Sequence, residues 1–305
     1  MKKKKFAKQR RRPSGLTIAI LVVIAVIVVI GAVYAYGFFP ERGLRLSELA
    51  RTTHFHGIAV DPTAPSRLYL ATHHGFFIVS PDGMATRRSD VMDMMGFTPN
   101  PAQPGILYAS GHPSGGGNLG FMTSQDGGRT WHQLSKGLRG PVDFHQMDAS
   151  KADPRVIYGA YGGIQVSRDG GISWLLAGPA PNGLIALAAS ARDADIVYAA
   201  TQTGLLITRD GARSWTPAYP QSRPASVVFT TRTGDVYAFI LGLGLVHATE
   251  PGLEWQTLGN GFGDAYVLHL AVDPTDKERL YAVTSQGTIL ASRDGGRTWA
   301  ILGAG

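Results

Sequence analysis

Apolar positions follow two regimes along this 305-residue chain. From Leu16 to Phe39 they run on without one charged residue. At about 1.5 Å per residue, such a run can cross a hydrocarbon core of about 30 Å as a helix. Beyond it, apolar residues come in short stretches, such as Phe76–Val79 and Leu205–Thr208, broken by Gly, Pro and Asp. Short apolar stretches between turn residues predict many strands. A tyrosine marks one strand in each group, at Tyr69, Tyr108, Tyr158, Tyr198, Tyr237 and Tyr281, always after an apolar residue. Turn pairs such as Asp61–Pro62, Asn100–Pro101, Asp153–Pro154 and Asp273–Pro274 precede most of them. The unit therefore reads as strand A (Ile58–Val60, Leu270–Val272), a hairpin, strand B with its tyrosine, then strands C and D.

A second repeat fixes the period. Ser-x-Asp-x-Gly-x-Thr/Ser-Trp occurs at Ser124–Trp131, Ser167–Trp174 and Ser292–Trp299, and as Thr208–Trp215 with Ala212 in place of Gly. Eroded copies stand at Ser80–Asp82–Gly83 and Thr249–Glu250–Gly252–Trp255. The acidic positions are 44, 43, 41, 40 and 44 residues apart. That spacing suits one four-stranded propeller blade per repeat. The motif resembles the Asp-box (BNR) repeat of sialidase-like and sortilin-like propellers and of photosystem II assembly-factor propellers, over about residues 53–302. The resemblance implies an all-β, six-bladed propeller with the box between strands C and D. It also implies that Asp126, Asp169, Asp210 and Asp294 build turns rather than catalyse: the carboxylate caps backbone N–H groups, Gly accepts positive φ, and Trp packs between blades.

Charge changes the reading of partners. The net charge is +7, but eight Lys and Arg fall in the first twelve residues and no acidic residue precedes Glu41. Without those eight, 21 basic residues face 22 acidic ones. A nucleic-acid partner therefore has no support in the folded part. The basic cluster predicts a cytoplasmic tail at 1–15, a transmembrane helix at 16–39, a linker at 40–52 and an extracytoplasmic propeller at 53–305. A cleaved signal peptide would have an apolar core of only about 7–15 residues and a small-x-small site. The longer run, with Val33, Tyr34 and Tyr36 near its end, favours an uncleaved membrane anchor. The chain has no cysteine, so disulfides and thiolate metal sites are excluded. Leu44–Leu46 resembles the strand-D segment His132–Leu134. Closure through the last blade is thus one option, and a strand D within Trp299–Leu302 is the other.

Seven of nine histidines lie between His54 and His145. Counting back 13 residues from each strand-B tyrosine gives His56, Met95 and His145 in the first three blades, but Ile185 and Leu268 in blades four and six. Counting back 15 gives His54, Asp93 and Asp143; counting forward four gives His73 and His112, with His74 adjoining His73. In an antiparallel meander the start of A and the end of B share one edge. His54, His56, His73, His74, Asp93, Met95, His112, Asp143 and His145 are therefore expected on one face, opposite the Asp boxes. Imidazoles suit Zn, Cu, Fe or Ni, and a thioether tilts the choice toward copper. Copper or zinc is the expected cofactor. Met92, Met94, Met95 and Met147 lie nearby in sequence; Met92 and Met94 read as core or loop filling, and His132, His247 and His269 as hydrogen-bonded surface residues. The Ser114–Asn118 loop reads as an enlarged hairpin and not a phosphate loop, since no Gly-Lys-Ser/Thr follows.

Three functions compete. The first is a membrane-anchored propeller binding a transition metal or small ligand through the histidines. The phrases Thr53–Gly57, Thr72–Gly75, Ser110–Pro113 and Val142–His145 are similar to those of bacterial proteins named as a glycosylhydrolase-like family. The second is accordingly a glycoside hydrolase using Asp93 and Asp143. The sialidase arginine segment is missing, and no glutamate starts a strand A. The third is an assembly scaffold with a protein partner, as the photosystem and sortilin resemblance implies. The propeller face is expected to meet a small ligand, a glycan or a protein.

Overall fold

The computed structural model of the protein describes residues 43–259 and 261–303. The expected tail at 1–15 and transmembrane helix at 16–39 lie outside them. Among the described residues no helix is long and apolar enough to cross a membrane.

Six antiparallel sheets follow one another along the chain, each an A–B–C–D meander. The A strands are Phe55–Val60, Asp93–Pro99, Met147–Ala149, Leu184–Ala189, Ala225–Thr230 and Val267–Asp273. Each contacts the A strands of both neighbouring blades, and the sixth returns to the first. The result is a six-bladed propeller with A innermost. All six strand-B tyrosines are buried, as a repeat that fills equivalent places between blades requires.

Closure follows the second option, a strand D of blade six within Trp299–Leu302, and the first fails. Leu44–Arg45 pairs antiparallel with Met84–Arg87, so it adds a fifth strand to blade one rather than to the last blade. Ala300–Ile301 forms the outer strand of blade six. The expected linker also supplies a short helix, Leu46–Leu49. Its Leu46 and Leu49 sink into the seam where Phe55 and Ile58 of blade one meet Ala271, Tyr281 and Val283 of blade six. The ring is closed by side-chain packing, without exchange of a strand. His269 adds a polar clasp across this seam, with Nε2 3.0 Å from the Phe55 carbonyl oxygen.

The four full motifs adopt one turn. In the second blade, Asp126 Oδ1 accepts the N–H groups of Arg129 (3.0 Å) and Thr130 (2.9 Å), and Oδ2 accepts the Thr130 hydroxyl (2.7 Å). Asp169, Asp210 and Asp294 repeat the pattern. The tryptophans pack toward the preceding blade: Trp174 meets Phe121 edge-on at 5.1 Å. Gly171 allows this approach, because at φ +92° a Cβ would lie 2.1 Å from the Phe121 ring. The eroded fifth copy behaves differently. Glu250 leaves its own turn and reaches blade four, accepting the Tyr198 hydroxyl (2.9 Å) and the Ala191 N–H (3.1 Å).

These turns carry a pH signature. The hydroxyl and N–H of Ser173, then the Ser167 hydroxyl, hold the Asp169 carboxyl down at about 2, and the Thr298 and Ser292 donors do the same for Asp294. The folded-state pKa lies below the ordinary 3.8, so the stabilisation is present at neutral pH. It is lost as pH falls from about 4 toward 2. Thermal melts across pH 2–5 should show a steady fall in Tm, shallower in Asp169→Asn. An equal slope in that variant would refute the assignment.

Candidate functional site

Three segments reach the face opposite the Asp boxes with the same alternation. Buried Phe55, Met94 and Phe144 anchor them in the core. His54 and His56, Asp93 and Met95, and Asp143 and His145 flank these anchors along the chain. Phe144 is pinned further by its N–H, which donates to Ser110 Oγ at 2.9 Å. The expected edge pairing holds: Asp93 and His112 are direct cross-strand partners, as are Phe55 and Thr72.

The A–B register slips by one at His56, Met95, Ile185 and Leu268, the positions counted back from the tyrosines in blades one, two, four and six. A bulge of this kind re-aims the side chain it carries. His56, Ile185 and Leu268, together with His145, line a central channel of about 670 Å³ whose wall is largely made of the A strands. The bulge is thus a device of the repeat, and blade one uses it to present an imidazole.

The polar side chains resolve into two groups of three. In the first, His56 Nε2 lies 3.1 Å from His73 Nε2, and His73 Nδ1 lies 2.8 Å from Asp93 Oδ1. In the second, Asp143 Oδ2 lies 2.9 Å from His112 Nε2 and 2.6 Å from His145 Nε2. Within each group one donor atom per residue lies within 4.8 Å of the others. Blade two contributes Asp93 to one group and His112 to the other.

Burial, then the rings of His73, His269 and His145, hold His56 down at about 4 against the pull of Asp93. It is a neutral imidazole at pH 7, the form that ligates a metal. His112 is shifted upward, chiefly by the Gly117 carbonyl and then by Asp143 and Asp93, against its burial. Its Nδ1 stands 2.7 Å from Gly117 O, which leaves Nε2 directed at Asp143. Fixing a ligand's tautomer through its other nitrogen is a recurrent feature of metal histidines. The Ser114–Asn118 loop therefore does more than enlarge a hairpin. Asn118 anchors it, donating to Pro141 O at 3.0 Å and to Tyr161 Oη at 3.1 Å.

Two expected site residues stand apart. His74 is exposed, with Nε2 3.1 Å from Thr52 O, so it fastens a local loop. His54 is also exposed and only tilts against His73, with ring centroids 5.4 Å apart. Met95 takes the bulged place in strand A of blade two and is half-buried. His269, read as a surface residue, lies in the channel wall, where burial lowers it to about 4. His247 forms a half-buried pair with Asp235 at 3.0 Å.

No protein-family model and no curated protein matches the chain. Solved structures do. A GH74 enzyme of Niastella koreensis aligns at TM-score 0.58 and 15% identity, over 82% of this chain and 45% of its own. The GH74 xyloglucanase of Xanthomonas campestris aligns at 0.56 and 19%, over 86% and 46%. The chain thus spans about half the length of these enzymes. YCF48 bound to D1 peptide aligns at 0.50 and 17%, over 82% of both chains. At such identities the likeness is one of fold, and it agrees with the sheets above. The protein is a six-bladed β-propeller of four-stranded antiparallel blades, with two histidine–aspartate groups on one face.

Proposed function

We propose that the protein binds a divalent transition-metal ion through these histidine–aspartate groups at the mouth of its channel. The observation that carries this reading is the placement of six N and O donors in two sets of three, two imidazoles and one carboxylate each. Ligands about 2.0–2.1 Å from one tetrahedral ion lie about 3.3 Å apart, and His56 and His73 nitrogens are 3.1–3.3 Å apart. A fit test on the carboxylates agrees. Asp143 Oδ1 is buried without a hydrogen-bond partner, and an unpaired buried carboxylate oxygen calls for a cation. Imidazole with carboxylate suits Zn(II), Cu(II) or Fe(II) better than Cu(I), which prefers sulfur. Three protein donors leave an open position, as catalytic or transfer sites do.

The basic N-terminal segment and apolar run support a membrane anchor that presents this face outside the cytoplasm. Both candidate carboxylates lie against imidazole nitrogens, which favours cation ligation over the proton-carrying acid of a glycosidase. A peptide-binding scaffold is the second reading, favoured by the equal coverage of this chain and YCF48.

The full chain in detergent, stripped with chelator and then exposed to Zn(II) or Cu(II), should retain near-stoichiometric metal by elemental analysis. A His56→Ala/His145→Ala double variant should lose it. No retained metal in the wild type would overturn the reading.

A further inference from the structure

We infer that the two groups work as one paired centre, in which an oxyanion at the channel mouth bridges two divalent ions. This rests on the metal-binding reading above. The first observation is connectivity. Asp93 and His112 face each other directly across strands A and B of blade two, yet belong to different groups. Opposed residues of an antiparallel pair stand about 5 Å apart. The groups are neighbours on one rigid sheet edge, not separate surface sites.

The second observation is access. His56 of the first group and His145 of the second both line the channel. An occupant of that mouth meets both groups at once. Asp143, buried apart from a small fraction of its surface, also keeps Oδ1 unpaired, so the second group has donor capacity left over.

Charge supplies the ligand class. Two divalent ions bring four positive charges, and Asp93 and Asp143 offset two. The histidines are neutral ligands when they bind metal. Two positive charges remain, partly shielded from water, and each three-donor ion has an open position. A phosphate- or carboxylate-type anion with two or more oxygens can fill both positions and offset the charge. Without it the ions repel, so the second ion binds more weakly than the first. Anion and second ion must then raise each other's affinity by the same factor.

Calorimetric titration of the full chain with Zn(II), with and without micromolar inorganic phosphate, tests this. Two ions per chain are expected, the second binding at least about tenfold more tightly with phosphate, a coupling of ordinary size. His73→Ala and His112→Ala should each leave one ion and remove the phosphate effect, with thermal melts checking that each variant folds. Asp93→Asn replaces either variant that does not. Two ions unmoved by phosphate would overturn the bridge. One ion per wild-type chain would overturn the pair while leaving metal binding intact, and no ion would overturn metal binding itself. Phenylphosphonate binding more tightly than phosphate identifies the anion as the head of a larger molecule seated in the channel. Phosphate binding as tightly or better identifies a free anion, and both results uphold the bridge.

Discussion

Gly111→Ala is expected to destabilise the protein by about 2–4 kcal/mol and to abolish metal retention at the histidine face, from one added methyl group. Gly111 sits in strand B of blade two, next to His112, with φ +151°. A Cβ there would lie 1.9 Å from the Asp93 carbonyl oxygen and 3.0 Å from the Met95 nitrogen. These are backbone atoms of the facing strand, so no rotamer change relieves the clash. The strands must part at the Asp93–His112 pair, the link between the two groups. For a domain of this size the cost corresponds to a Tm lower by about 5–15 °C. Gly115→Ala is the control: nothing lies within 4 Å of its Cβ and its φ is not positive. A Gly111→Ala protein with wild-type Tm and metal content would show that strand A of blade two shifts freely, and the rigid-edge argument would fail.

The blade repeat was legible because it is written in residues whose roles are local. Asp126, Asp169, Asp210 and Asp294 cap their own turns within four residues, so the motif survives at a fixed spacing. The strand-B tyrosines do the same for register. Counting from them placed Asp93 opposite His112 and brought His56, His73, Asp143 and His145 to one edge. What stayed hidden depends on contacts between blades. Counting could not show that the six donors divide three and three, since that division crosses the blade boundaries between His73 and Asp93 and between His112 and Asp143. Nor could it show the bulge, which alters side-chain direction without altering spacing. His54 and His56 are two apart and would share a side on a regular strand. The slip at His56 separates them, and only His56 lines the channel. Glu250 deceived for a similar reason: its position belongs to one blade and its partners to another. The Gly117 carbonyl left no trace in residue type at all, because a backbone oxygen holds His112.

Replacing Asp143 by Asn separates a ligand from a structural residue. Asp143 is the most enclosed of the six donors, with its side chain only 7% exposed. It holds His112 and His145 through one oxygen and leaves the other unpaired. A buried carboxylate kept for stability would be expected to pair both oxygens, and its loss would lower Tm. Here the isosteric amide removes a half-satisfied buried charge, so the expected change in Tm is small, within about 3 °C. Metal binding should respond strongly, because the amide supplies neither the negative charge nor an equal donor. Affinity at the second group should fall at least about a hundredfold, more than the 10–100-fold typical of residues one shell further out. The first group, built from His56, His73 and Asp93, should keep its ion. Titration calorimetry beside thermal melts reads both quantities on one preparation. A large loss of Tm with unchanged metal affinity would make Asp143 a structural clamp for two histidines and remove the second group from the site.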